Sequence, residues 1–131
     1  MRRLFSLTLA LIVAIVVYAK DFAWVCAIEW TEKNPEWVFV YEDVKMQSDG
    51  CYRVFVKWEF PNDTKKSEAK QTCLISSDFD KIQIVKSVGY NKDGEAVYSQ
   101  DYPYGCGWDY VMPDTYSESI VETTKQILLK K

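Results

Sequence analysis

Histidine is absent from this 131-residue chain. That removes Ser-His and Cys-His nucleophile pairs outright. Glycine and proline are scarce, at 5 and 4 residues, and form no P-loop and no G-x-G-x-x-G. Basic residues are also in the minority, 16 against 19 acidic, for a net charge of −3. The expected partners therefore include no nucleic acid, which demands a basic patch. Without histidine or a C-x-x-C pair there is no zinc pattern, so neither metal nor cofactor is expected. Carboxylate pairs exist, Asp78 with Asp80 and Asp101 with Asp109. Nothing near them signals the burial that a general acid needs, so no catalytic residue is assigned and the chain reads as a non-enzyme.

The one long hydrophobic run is at the start. Met1-Arg2-Arg3 is basic, Leu4 to Val17 is almost wholly apolar, and Val17 and Ala19 are small. This pattern predicts a signal peptide over residues 1–19, cut after Ala19. The run is shorter than the ~20 residues of a spanning helix, so no membrane anchor is expected after cleavage. Cleavage removes two arginines and takes the net charge from −3 to −5. No cysteine follows the run directly, which argues against lipidation. Residues 20–131 have the size of one domain. Cys26, Cys51, Cys73 and Cys106 in an exported chain read as two disulfides. Counting the strands as a meander places Cys26 level with Cys73, and Cys51 at the same sheet end as Cys106. That predicts Cys26–Cys73 and Cys51–Cys106, provided the sheet curls enough to bring them within ~7 Å.

What the chain has in plenty is aromatic residues, 15% of it, arranged with period two. Phe22 to Trp30, Trp37 to Glu42, Tyr52 to Phe60, Glu68 to Ile75, Asp80 to Tyr90, Glu95 to Gln100 and Trp108 to Met112 read as strands. On the fifth, Ile82, Ile84, Val88 and Tyr90 are expected on one face. Asp93-Gly94 marks a hairpin. Thr115-x-x-Glu118 is a capping box opening a helix, with Ile120, Val121, Thr124, Ile127 and Leu128 as its apolar stripe. The expected fold is α+β: a twisted antiparallel sheet of about six to seven strands with one C-terminal helix packed on it. Tyr98, Tyr102, Tyr104, Trp108 and Tyr110 crowd a stretch rich in Gly and Pro. Tyr and Trp recur at binding hot spots, so the loop pair Tyr102 and Tyr104 is the candidate contact site, while Trp108 is expected in the core.

The order Cys73, then Tyr90 with Gly94, then Trp108 with Pro113, Thr115 and Glu118 resembles the surface-adhesin protein E family of small exported bacterial proteins. The resemblance covers about the last sixty residues, with looser agreement at Trp24, Tyr41 with Asp43, and the Arg53 to Trp58 strand. It implies the same sheet-and-helix fold and a non-enzymatic domain that binds host matrix or serum proteins, at the cell surface or in the periplasm. This chain departs from the family in lacking a lipidation cysteine and a cysteine near the end of the helix. The alternative function is a soluble periplasmic envelope-associated or inhibitor-like protein with no host ligand.

Overall fold

A computed structural model describes residues 22–103 and 105–131; the expected signal peptide and Tyr104 lie outside the described residues. The strands are β1 (Trp24–Ile28), β2 (Trp37–Tyr41), β3 (Lys45–Met46), β4 (Tyr52–Glu59), β5 (Glu68–Ile75), β6 (Lys81–Tyr90), β7 (Ala96–Asp101) and β8 (Asp109–Tyr110). One helix, α1 (Tyr116–Leu129), follows. All pair antiparallel in a single sheet ordered β1-β2-β4-β5-β6-β7, with β3 beside β4 and β8 beside β6. The α+β expectation holds. The strand count rises to eight because β3 is a two-residue pairing, too short to show a period; β8 falls within the expected Trp108 to Met112 strand, shortened to two residues.

Alternation sets the two faces. Val38, Val40, Val54, Val56, Cys73, Ile75 and Ile82 are buried on one of them, against Ile120, Val121 and Ile127 of α1. Burying each such aliphatic side chain is worth roughly 1.5–3 kcal/mol. Thr124, fully buried on the same helix face, donates its hydroxyl to the Ile120 carbonyl at 2.8 Å, which leaves no unmet polar group. At the helix start Thr115 Oγ1 accepts from the Glu118 amide at 3.3 Å. The Glu118 carboxylate reaches back to the Asp114 amide, one residue before the cap. The opposite face carries Trp24, Phe39, Tyr41 and Phe55. Trp24 packs on Tyr41 and Tyr41 meets Phe55 edge-on, Phe39 stacks on Trp37, and Lys57 Nζ lies 4.7 Å from the Trp24 centroid and 5.0 Å from that of Phe39. The lysine stem and charge together shield these rings from water.

Register decides three points that periodicity alone did not. Between Thr72 and Cys73 the β5–β6 pairing slips by one residue, so Lys86 pairs with Thr72 but Ile84 with Cys73. The extra residue, Val85, turns the strand over. Ile82 and Ile84 therefore share a face with Ser87 and Gly89, not with Val88 and Tyr90 as expected. Second, Cys26 stands opposite Phe39, whose other neighbour is Lys57, while Cys73 stands opposite Val54. The two cysteines are neither level nor adjacent. Cys26 is exposed, Cys73 is buried, and three strand spacings of ~4.8 Å separate them. Third, Cys51 precedes Tyr52, in the row of Ile75 and Ile82, whereas Cys106 bonds to Ile84. Both expected disulfides are corrected: all four cysteines are free thiols.

Candidate functional site

The sheet ends on one side in a broken strand. β7 pairs with β6 from Ala96 to Asp101, and β8 pairs with the same strand at Ile82 and Lys81. Between them the chain makes an excursion held to β6 by two backbone bonds, Tyr102 N–H to the Val85 carbonyl (2.7 Å) and Cys106 N–H to the Ile84 carbonyl (3.2 Å). Gly105 is required there. Its φ is +79°, and a Cβ would fall 2.0 Å from Gln83 Oε1. Thus β7, the excursion and β8 form one interrupted edge strand whose outward side has no neighbour in the sheet among the described residues.

That edge is unusually apolar. Val97, Tyr98, Trp108, Tyr110 and Met112 are all exposed, Tyr110 by 69% and Met112 by 57%. No Lys, Arg or Pro interrupts β7. Natural edges are ordinarily blunted by such residues or by a covering element. Trp108 was expected in the core but is 42% exposed and lies on this edge instead. Tyr102, one of the two expected contact residues, is half-buried. Burial, with Tyr98 and Cys106 nearby, pushes its phenol up from the ordinary value. So Tyr102 stands beside the exposed rings and is less open than they are.

Beside the edge, on the helix side of the sheet, lies a groove of about 1220 Å³. Its origin is a row of cross-strand partners: Trp58, Ala69, Gly89, Tyr98. The neighbouring row is Val56, Gln71, Ser87, Gln100. Large rings stand on β4 and β7, and small side chains lie between them on β5 and β6. The helix approaches β1 and β2 most closely and leaves this half of the face uncovered. The Trp58 indole N–H donates to Gln71 Oε1 at 2.9 Å, and the ring stacks on Phe60 and meets Tyr116 edge-on. The Tyr116 hydroxyl donates to Glu36 Oε2 at 2.6 Å, which raises its own pKa and ties the helix start to the β1–β2 connection. On β7, the Tyr98 hydroxyl donates to Gln100 Oε1.

Two of the carboxylates are shifted, both downward. Asp78 is held below the usual range by the hydrogen bond it shares with the Asp80 side chain and then by the Ser76 hydroxyl. Asp63 is held low by the amides of Lys66 and Lys65. Both shifts oppose the raised value a general acid needs. Cys73 is the most perturbed group. Burial, then the nearby Cys106 thiol, push it up to about 12, so it is a poor nucleophile at neutral pH. Sequence reasoning did not reach the groove or the edge; of the ring cluster it singled out, Tyr98, Trp108 and Tyr110 are exposed on this edge. Comparison of the chain with protein-family models, curated proteins and solved structures finds no match.

Proposed function

We propose that this chain is an exported, non-catalytic protein-binding domain whose contact surface is the β7–β8 edge. The observation that carries this reading is the line of exposed apolar and aromatic side chains on that edge, Val97, Tyr98, Trp108, Tyr110 and Met112. Tyr and Trp supply large contact area at low entropic cost. An open strand edge adds a row of backbone donors and acceptors that a partner's extended segment can pair with. The resemblance to the surface-adhesin protein E family supports host matrix or serum proteins as the partner class. The basic-then-apolar N-terminal segment supports export.

The test is solid-phase binding of the purified chain to immobilised matrix and serum proteins. The comparison is with a Trp108→Ser/Tyr110→Ser variant, which removes two exposed rings and leaves the core alone. The account expects wild-type chain to bind at least one of these proteins and the variant to lose most of that binding. Equal binding by both chains, or none by either, overturns the reading.

A further inference from the structure

The groove has lysines along its rim. Lys65, Lys66 and Lys92 line it. None of them has a carboxylate within ion-pairing distance among the described residues, which is also true of Lys33, Lys81, Lys86, Lys130 and Lys131. The two acidic residues at the groove are Asp63 and Asp93. Asp63 is already committed to the Lys65 and Lys66 amides at 2.8 and 3.0 Å, which folds the 61–66 loop and sets both lysines at the rim. Lys66 is further placed by its own stem. A Cβ at Gly89 would lie 2.9 Å from Lys66 Cδ, so the stem runs across the glycine floor, and Nζ comes to rest 4.7 Å from the Phe60 centroid. Three lysines against Asp63 and Asp93 leave the lining one net positive charge on an acidic protein, and a partner of the opposite sign would complete it.

We infer that the groove between Trp58 and Tyr98 binds an extended acidic polypeptide segment, with an apolar side chain laid over Ala69 and Gly89 and its carboxylates met by Lys65, Lys66 and Lys92. The dimensions agree. Trp58 and Tyr98 stand three strand spacings apart, or ~14 Å, wide enough for one extended chain with its side chains. The aromatic walls take the apolar anchor, and the Gln71 and Asn91 amides at the lining suit a polar backbone. This deepens the protein-binding reading by naming the chemistry of the segment. It uses residues other than Trp108 and Tyr110, so the two ideas fail separately.

The probe is a fluorescently labelled synthetic peptide alternating Glu with Phe, compared by anisotropy with the same peptide carrying Gln for Glu. Wild-type chain should prefer the Glu peptide by about tenfold, with the preference shrinking as salt rises. Lys65→Glu/Lys66→Glu/Lys92→Glu should abolish the preference. Gly89→Val should weaken both peptides about tenfold by filling the floor, with no backbone penalty, since the φ of this glycine is not positive. Trp108→Ser/Tyr110→Ser should leave peptide binding unchanged. No binding of the Glu peptide, no preference over the Gln peptide, or full binding by the triple lysine variant overturns the inference. So does concentration-dependent self-association that the triple variant weakens, since the groove would then serve a second copy of the chain.

Discussion

Replacing Cys73 by Val should change how stability depends on pH, with the change appearing only at alkaline pH. The thiol is 2% exposed, between β4 and β6 and under the helix, and its pKa is pushed up to about 12 from an ordinary 9.0. The folded value lies above the unfolded one, so the thiol's contribution is complete below pH 9 and drains away as the pH climbs toward 12. At about pH 10.5 the unfolded chain has largely lost this proton and the folded chain has kept it. The difference is then ~1.5 pH units of proton affinity, about 2 kcal/mol. The assay is urea unfolding of both chains at neutral pH and at about pH 10.5, with reductant present throughout. Cys26, Cys51, Tyr102 and Tyr116, also raised, remain in both chains and cancel in the comparison. Cys73→Val should therefore lose about 2 kcal/mol less than wild type on going alkaline. Parallel losses in the two chains would show that Cys73 is not the buried proton-holder described above.

Other expectations concern the excursion and the helix. Gly105→Ala should cost clearly more than Gly107→Ala. Both have positive φ, worth about 1–2 kcal/mol, but only Gly105 faces the buried Gln83 side chain while Gly107 faces open space. Equal unfolding midpoints for the two variants would mean the excursion does not press on Gln83. Ile120→Ala should cost on the order of 2–4 kcal/mol, because the residue is 4% exposed at the helix–sheet contact. Thr115→Ala should cost about 1 kcal/mol through loss of the cap, and a neutral result would place the helix start elsewhere. Tyr116→Phe removes the hydroxyl that donates to Glu36 and should cost about 1 kcal/mol at neutral pH. The folded pKa of Tyr116 is raised, so this contribution is whole below pH 10 and fades above it, and the wild-type and Phe chains should converge there.

Much of the fold was written locally. The alternation of Tyr52, Val54, Val56 and Trp58 named a strand and its buried face, and Thr115 with Glu118 named the helix start. These signals lie within a few residues of what they specify. The groove is different in kind. Ala69 and Gly89 are far apart in the chain and become one floor only when β5 and β6 pair in a particular register. That register contains a slip at Val85 that no period reveals. The same dependence undid the disulfide expectation, since the pairings set Cys26 in the row of Phe39, Lys57 and Lys70, out of level with Cys73. Trp108 misled for a third reason. A tryptophan on a last strand is ordinarily core, but here that strand is only Asp109–Tyr110, Trp108 just precedes it, and no strand lies beyond it among the described residues.

The central claim is that partners meet the β7–β8 edge, and amide hydrogen exchange tests it most directly. The chain is compared alone and bound to whichever matrix or serum protein it retains. If the edge is the contact, new protection falls on the amides of Ala96–Asp101 and Asp109–Tyr110, and the opposite edge at β1 is unchanged. Protection centred instead on the aromatic face of Trp24, Phe39, Tyr41 and Phe55, with β7 exchanging as before, would contradict the account.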